Sequence, residues 1–365
     1  MREDEAYMRR ALRLAERGRG RVSPNPLAGA VVVLAGQVLG EGAHLQVGGP
    51  HAEVHALDQA GHRARGATLY STLEPCSFHG RTPPCSHALI AAGIERLVCA
   101  MQDPDSRVNG AGLRQLRDAG IAVEVGLLET QARRQNAAYV KHRSSGMPQV
   151  ILKLAQTLDG QIAACGGEAR WITGAKARAH AHRWRSWVDA VMVGAGTVAA
   201  DDPRLNVRHA KGRDPRPMVV DGRLTLEPGF RVFRRARAIL LTADSTPSER
   251  RRSFAARGVE VWTFDADENQ RIDLHLPLAR AAAQGMTSIM IEGGSQLAAA
   301  ALRDRVVDQV MVYLAPSILG RGIGAVADLG IRKVEDAIQL EEVETRRLGS
   351  DILYTAKVRY SCSQG

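Results

Sequence analysis

The chain has 365 residues and a hydrophobic fraction of 45%, enough for two globular domains of ordinary size. Its net charge of +10 is spread over both halves, with 18 basic and 14 acidic residues over 1–146 and 31 basic and 25 acidic residues over the rest. A nucleic-acid-binding surface would instead show basic residues clustered on one face. Apolar runs fall short of the ~18–20 residues of a membrane span, and the charged start lacks a signal-peptide core. Five cysteines, an odd number, disfavour a disulfide framework, so we expect a cytoplasmic protein.

The first part of the chain alternates short apolar strands with helices, which is typical of an α/β domain. Periodicity and turn residues predict helices over 4–17, 51–60, 85–92 and 113–119, and strands over 30–34, from 37, and over 68–73, 96–101 and 121–125. A polar stretch with Gly and Pro at 141–149 predicts a linker. We therefore expect domains over 1–146 and 147–365.

The second part repeats the alternation and is also predicted to be α/β. Strands are expected over 150–154, 190–193, 218–220, 238–241, 259–262, 288–291 and 309–314, with helices over 175–186 and 296–303. Two glycine turns follow strands, one at 194–199 and one at 292–295. Either turn alone is weak evidence for a nucleotide-binding site. Because glycines at a helix start let backbone N–H groups approach phosphate closely, the two turns together favour a site for a dinucleotide.

Three potential zinc ligands lie in the first part in an order that predicts catalysis. His51 opens a predicted helix, Cys76 follows a strand and Cys85 opens the next helix. One imidazole and two thiolates leave the fourth tetrahedral position to water, as in a catalytic zinc site. Glu53, two residues after His51, is the expected proton shuttle. His55 and His79 are the alternative fourth ligands of a closed structural site.

This constellation resembles the H-x-E…P-C-x-x-C signature of zinc deaminases, although eight residues separate the two thiols here. The inserted segment, Glu74-Pro75-Cys76 to Gly80-Arg81-Thr82-Pro83-Pro84-Cys85, resembles the bifunctional deaminase/reductases of riboflavin biosynthesis. The segments at 23–26, 42–44 and 109–112 are similar to loops of the same family. Three positions depart from the family pattern, namely Ala28, Phe78 where His is common, and Ala169 where Ser is common.

The second part resembles the reductase half of that family at 153–160, 171–174, 201–205 and 315–320, so the resemblance runs from about Asp4 to Val358. It implies a cytidine-deaminase-like three-layer α/β/α domain followed by a dihydrofolate-reductase-like α/β domain. The residues it places on NADPH are Ala155, Trp171, Thr197, Asp201, Gly222, Gly294, Ser295, Gln296 and Leu297. Those it places on the substrate are Lys153, Ala169, Arg185, Leu205, Arg208 and Glu292.

These residue types suit the implied chemistry. The guanidinium forks of Arg185 and Arg208 match phosphate oxygens. Lys153 could polarise the group being reduced, or be an ordinary lysine at a strand edge. Glu292 could bind sugar hydroxyls or the base, or be a charge at a helix N-terminus.

The resemblance implies deamination of 2,5-diamino-6-(ribosylamino)-4(3H)-pyrimidinone 5′-phosphate, followed by NADPH reduction of its ribosyl group to ribityl. The product is 5-amino-6-(ribitylamino)uracil 5′-phosphate. We expect Zn²⁺ and NADPH as cofactors, a small-molecule partner, no nucleic acid or membrane, and a homo-oligomer of two or more copies. Two rivals stay open: a nucleic-acid deaminase with an accessory domain, and a scaffold protein with a structural zinc.

Overall fold

The computed structural model describes residues 2–78, 83–235 and 237–360. By contacts the chain separates into two compact units, Met1–Met147 and Pro148–Gly365. In the described part of the chain, none of the helices combines the length and apolar character needed to cross a bilayer.

The first unit is a five-stranded sheet with helices on both faces. Its elements are α1 (Arg2–Ala15), β1 (Gly29–Leu34), β2 (Gln37–Ala43), α2 (Ala52–Ala60), β3 (Thr68–Ser71), α3 (Cys85–Ala92), β4 (Arg96–Cys99), α4 (Ala111–Asp118), β5 (Ala122–Val125), α5 (Glu129–Gln135) and α6 (Ala137–Ser145). The strand order is β2-β1-β3-β4-β5, in which β1 is antiparallel to both neighbours and the last three strands are parallel.

Alternate residues of β1 face two separate hydrophobic cores, as the period of a strand requires. Ala30 and Val32 pack with residues of α2, α3 and α4, whereas Val31 and Val33 pack with residues of α1 and α6. The helix layers on both faces make the three-layer α/β/α arrangement that was expected.

Glycines allow α2 to lie directly on β2. A Cβ at Gly42 would come within 1.9 Å of the Ala52 carbonyl oxygen, and one at Gly40 within 2.0 Å of the Ala56 oxygen. Both positions need glycine for this close approach. The packing matters for function because α2 carries His51 at its N-terminus and Glu53 in its first turn.

The predicted linker at 141–149 is wrong over most of its length. Residues 141–145 belong to α6, which is anchored by buried Tyr139 and ends at Gly146 in the left-handed conformation. Gln149 already begins the first strand of the second unit. Within this helix the polar residues 141–143 are half-buried and only 144 and 145 are exposed, so the polar composition belongs to a helix end rather than to a linker.

The second unit is built on a nine-stranded sheet. Its elements are β6 (Gln149–Thr157), β7 (Gln161–Ala164), α7 (Ala175–Arg185), β8 (Ala190–Gly194), α8 (Ala195–Asp201), β9 (Arg216–Val220), β10 (Ile239–Ala243), α9 (Ser248–Ala255), β11 (Glu260–Phe264), α10 (His275–Ala283), β12 (Ser288–Glu292), α11 (Ser295–Arg303), β13 (Gln309–Ala315), β14 (Gly322–Gly324), β15 (Gln339–Leu348) and β16 (Asp351–Arg359).

The strand order of this sheet is β11-β10-β9-β8-β12-β6-β13-β16-β15. All strands from β11 to β13 are parallel, and β16 and β15 extend the sheet as an antiparallel pair. The carboxyl ends of β8, β12, β6 and β13 therefore lie side by side, which is where open α/β sheets place their ligands. Strands β7 and β14 form a separate two-stranded sheet.

Candidate active sites

The first site brings together the three predicted zinc ligands from three different elements. His51 precedes α2, Cys85 is the first residue of α3, and Cys76 lies in the segment after β3. His51 Nδ1 lies 3.2 Å from Cys85 Sγ and 3.6 Å from Cys76 Sγ. The three ligand atoms all lie within 4.8 Å of one another.

This donor set fits a zinc ion. One imidazole nitrogen and two thiolate sulfurs are the ligands of catalytic zinc sites, and their spacing leaves room for one ion between them. Among the residues that the structure describes, His55 does not join this cluster. His79, the other candidate for a closed site, lies outside the described residues.

Electrostatics at this site are dominated by burial and by short contacts between the ligands. The Cys85 thiol and then His51 hydrogen-bond to Cys76 and lower its pKa to about 4, against the effect of burial. The hydrogen bond to Cys76 raises the pKa of His51. Burial raises the pKa of Glu53 to about 7, although the charge of His51 acts in the opposite direction. Glu53 is thus a buried carboxyl next to the ligand cluster that can exchange protons near neutral pH.

Two family-like motifs hold the Cys76 segment in place. Glu74 is buried, and its carboxylate accepts the backbone N–H groups of Asp103, Gly110 and Gly112 at 3.1, 2.9 and 3.0 Å. A Cβ at Gly112 would come within 2.0 Å of the carbonyl oxygen just before Cys76. Gly112 is needed because α4 starts directly against this segment, and Gly110 is needed for its positive φ of 87°.

Sequence reasoning gave no role to His44, which lies beside His51, or to Asn25, which contacts His44. The ring of His44 meets that of His51 edge to face, with centroids 5.3 Å apart. His44 also contacts the Pro50 carbonyl at 3.1 Å and the side-chain nitrogen of Asn25 at 3.1 Å. The segments at 23–26 and 42–44 were noted as family-like loops, which was the available signal.

Phe78, one of the departures from the family pattern, has an arginine over its ring. The Arg107 guanidinium lies 5.0 Å from the ring centroid. Asp105 binds the same guanidinium through both carboxylate oxygens, at 2.9 and 2.5 Å. An ion pair and a cation–π contact therefore fix this part of the segment between the two thiols.

The second site lies where the two predicted glycine turns converge. One turn joins β8 to α8 and the other joins β12 to α11. A Cβ at Gly294 would lie 2.9 Å from Thr197 Oγ1, and one at Gly194 would lie 3.6 Å from Leu297 Cβ. Gly293 and Gly294 both have positive φ, 65° and 71°. The two turns thus form one glycine-lined cradle at the carboxyl ends of neighbouring strands, which fits the phosphates of a dinucleotide.

Other predicted cofactor residues lie outside the glycine cradle, on β6, on the segment after β7 and at the ends of α8 and β9. Trp171 is 66% exposed, and the Arg178 guanidinium lies 4.4 Å from its ring centroid. Arg170 donates to the Asp201 carbonyl at 2.9 Å, which links the Trp171 segment to the end of α8. Gly222 follows β9, where a Cβ would come within 1.9 Å of a neighbouring carbonyl oxygen. Ala155 lies on β6, partly buried against the core of the unit.

Predicted substrate residues form a buried ionic cluster beside the cradle. Glu292, at the end of β12, accepts from Arg185 Nε at 2.6 Å and Nη2 at 2.8 Å. Lys153 Nζ lies 3.9 Å from Glu292 and 5.7 Å from the centre of the Tyr313 ring. The charges of Arg185 and Lys153 outweigh burial and lower the pKa of Glu292 to about 2. Burial lowers the pKa of Lys153.

The remaining substrate candidates lie on loops. Arg208 is exposed, and its Nη1 donates to the Asn206 side chain at 2.6 Å. Leu205 is buried in the hydrophobic core, so its side chain packs inwards. Ala169 is half-buried on the segment after β7. His182, which sequence reasoning missed, accepts the backbone N–H of Arg208 at 3.1 Å.

The fold and the two sites define an enzyme in which a zinc-dependent deaminase is joined to an NADPH-dependent reductase. Residues 1–101 match the family model "Cytidine and deoxycytidylate deaminase zinc-binding region", and residues 148–354 match "RibD C-terminal domain". The riboflavin biosynthesis protein RibD of Escherichia coli (strain K12) is 40% identical, covering 96% of this chain and 98% of the relative. RibD of Aquifex aeolicus (strain VF5) is 38% identical, covering 96% and 97%.

Solved structures agree over the whole chain. Acinetobacter baumannii RibD, form 1, is 35% identical with a TM-score of 0.88, covering 98% of this chain and 99% of that one. A deaminase/reductase from Thermotoga maritima is 34% identical with a TM-score of 0.85 over the same shares. The chain belongs to the RibD family, the bifunctional deaminase/reductases of riboflavin biosynthesis. This assignment as an enzyme overturns the scaffold alternative.

Proposed function

We propose that residues 1–146 deaminate 2,5-diamino-6-(ribosylamino)-4(3H)-pyrimidinone 5′-phosphate and that residues 147–365 then reduce its ribosyl group. The Thermotoga maritima relative is a diaminohydroxyphosphoribosylaminopyrimidine deaminase and 5-amino-6-(5-phosphoribosylamino)uracil reductase, and the substrate proposed here is the one on which that protein acts. The observation that carries the proposal is the cluster of His51, Cys76 and Cys85, beside which Glu53 is buried.

In the deaminase site, His51, Cys76 and Cys85 would hold the metal, and Glu53 would move the protons. Zinc, when bound, lowers the pKa of a water in its open position towards ~7. Hydrolytic loss of an amine uses both protons of the attacking water. The first goes to the ring nitrogen as the C–O bond forms, and the second, from the new hydroxyl group, goes to the amine as the C–N bond breaks. The Glu53 carboxyl, with its pKa raised to about 7 by burial, can accept and deliver each proton in turn.

In the reductase site, the glycine cradle of Gly293, Gly294 and Thr197 would hold the cofactor phosphates. NADPH, when bound, supplies the hydride that reduces the ribosyl group to ribityl. Lys153 would polarise the group being reduced, since its ammonium lies 3.9 Å from Glu292, the last residue of β12, which acts as its counter-charge. The placement of Trp171, Asp201, Gly222, Ser295, Gln296, Leu297 and Ala155 on the cofactor remains part of this proposal.

Arg208 is the principal candidate for binding the 5′-phosphate. Two nitrogens of Arg185 are bound to Glu292 and the third to the Asn206 carbonyl, so its fork is already occupied. Among the described residues, the guanidinium of Arg208 contacts only the neutral side-chain oxygen of Asn206, and Arg208 is exposed. Arg185 would act by orienting Glu292 towards the sugar and by adding positive charge. Ala169 would line this site, and the buried side chain of Leu205 would support its wall from the hydrophobic core.

The test compares wild type with Glu53→Gln, which keeps the shape of the side chain and removes the base. Zinc content, ammonia release and loss of NADPH absorbance are measured with the diaminopyrimidinone ribosyl phosphate. We expect Glu53→Gln to hold zinc, release no ammonia and still consume NADPH when it is given the deaminated intermediate. A wild-type enzyme that holds zinc but releases no ammonia from this compound would refute the substrate assignment.

We further propose that the protein acts in the cytoplasm as a homo-oligomer on a small molecule rather than a nucleic acid. The cysteines at 76, 85, 99 and 165 are free thiols, which suits a reducing compartment. The edge strand β15 exposes Leu340 at 40% and Val343 at 50%, which suits pairing with a second copy. Sedimentation of the purified enzyme tests the oligomer, and a monomer at micromolar concentration would contradict it.

A further inference from the structure

The segment that carries Arg208 is held by two side chains of one helix. We call residues 206–209 the Arg208 loop. From α7, Arg185 donates to the Asn206 carbonyl at 3.2 Å. From one turn earlier on the same helix, His182 accepts the N–H of Arg208 at its Nδ1, at 3.1 Å. Two backbone groups within the loop, the Asn206 carbonyl and the Arg208 N–H, are thus tied to α7.

His182 is a buried acceptor. It is 6% exposed, and the ring of His209 packs against it edge to face with centroids 4.7 Å apart. Accepting at Nδ1 requires that the ring proton sit on Nε2, so the imidazole must be neutral. Burial, followed by the nearby charges of Arg185 and Arg208, lowers the pKa of His182 to about 3. The ring is therefore a constant acceptor over the working pH range.

Arg208 has the surroundings of an anion-binding residue. Its Nη1 donates to the Asn206 side-chain oxygen at 2.6 Å, and in the described part of the chain it forms no ion pair with a carboxylate. Burial and the charges of Arg185 and Arg204 lower its pKa. A guanidinium beside like charges gains most from a doubly charged ligand such as a phosphate ester.

We propose that His182 is a positioning residue for recognition of the substrate 5′-phosphate. It fixes the backbone N–H of Arg208 and so the point from which the guanidinium reaches the phosphate. This inference rests on the proposed function, specifically on the assignment of Arg208 to the phosphate. Because His182 acts through Arg208, it contributes to binding of the phosphorylated substrate and leaves hydride transfer unchanged.

The experiment uses the full chain and two substrates, the deaminated intermediate and its dephosphorylated form, and follows NADPH consumption. His182→Leu removes the acceptor with little change in volume, and His182→Gln offers an amide oxygen in its place. We expect His182→Leu to raise KM for the phosphorylated substrate about tenfold with kcat within about twofold, because the part-buried N–H of Arg208 loses its acceptor. KM for the dephosphorylated substrate should stay unchanged, and His182→Gln should restore most of the discrimination.

Two control variants distinguish the role of His182 from the assignment of Arg208 to the phosphate. His180→Leu removes another histidine of α7, one whose Nδ1 faces the Tyr313 hydroxyl at 2.9 Å, and it should leave the ratio of the two KM values unchanged. Arg208→Ala should remove the difference between the KM values of the phosphorylated and the dephosphorylated substrate. If Arg208→Ala has no such effect, the phosphate assignment fails. If it does while His182→Leu has none, or weakens both substrates equally, the role of His182 is overturned.

A measurement on the wild-type enzyme covers the case in which His182→Leu does not fold. Nitrogen-15 NMR of labelled histidine, assigned with His182→Gln, reports which ring nitrogen carries the proton. We expect a neutral ring protonated at Nε2 throughout the neutral pH range. A proton on Nδ1, or a ring that titrates near pH 6.5, would contradict the proposal.

Discussion

Glu292 is the carboxylate that neutralises two buried cations, and removing its charge should lower the stability of the reductase unit. Arg185 and Lys153 have side chains only 13% and 17% exposed, and both face Glu292. Glu292→Gln keeps the shape of the side chain but leaves these cations without their negative partner. Breaking a buried ion pair from one side costs ~3–5 kcal/mol.

The pKa of Glu292 gives an independent magnitude. The pKa is lowered from 4.5 to about 2 in the folded protein, which corresponds to ~3 kcal/mol of stability. Because the folded pKa is depressed, this stability is fully present above pH 4.5 and is lost as the pH falls towards 2. The two estimates agree, so we expect a loss of about 3 kcal/mol at neutral pH.

Calorimetry of the full chain can measure this loss. The transition of the reductase unit is identified by its upward shift with NADPH, because a bound ligand stabilises the unit that binds it. For a unit of this size, ~3 kcal/mol lowers the midpoint by roughly 6–12 °C. The difference between wild type and Glu292→Gln should shrink as the pH falls from 4.5 to 3.

The matched control is Glu335→Gln, which removes a carboxylate whose pair with Lys333 is exposed on both sides. That variant should melt within about a degree of wild type, since exposed ion pairs contribute little. A Glu292→Gln enzyme that melts with wild type, or whose deaminase transition falls equally, would refute the reasoning.

Three further predictions concern both sites. Cys76→Ser should lose zinc and ammonia release while still reducing the supplied intermediate; loss of both activities with intact folding would contradict independent sites. Lys153→Met should lower kcat for reduction by about 10²-fold or more with little change in KM for NADPH. Because burial lowers the pKa of Lys153, wild-type reduction should fall on the alkaline side below pH 10.5, a limb that the variant should lack. Gly42→Ala, whose methyl would meet the Ala52 oxygen at 1.9 Å, should destabilise the deaminase transition by ~1–3 kcal/mol. Gly229→Ala in the second unit, where a methyl would have nothing within 4 Å, should leave the reductase transition unchanged.

Many secondary-structure elements and candidate site residues of this protein can be predicted from local sequence. Helix starts at 52, 85 and 175 and most central strands follow from apolar period and turn residues, because these signals act within a few residues. The zinc ligands could be named from their order on successive elements, as could the two glycine turns. The linker predicted at 141–149 overlaps the polar end of α6, because the apolar contacts of this helix are made by Tyr139 and Val140, which come before that stretch.

The tertiary structure decided which charges meet. Arg185 and Glu292 are 107 residues apart in the chain and form a bidentate pair, so the fork expected to bind phosphate is already taken. His182 and Arg208 are joined by a contact for which the sequence has no local signature. The sequence by itself determined most of the central elements, the expected set of metal ligands and the family. The partners of the buried polar groups depend on strand order and on which loops share a sheet edge, and those are set only when the whole chain packs.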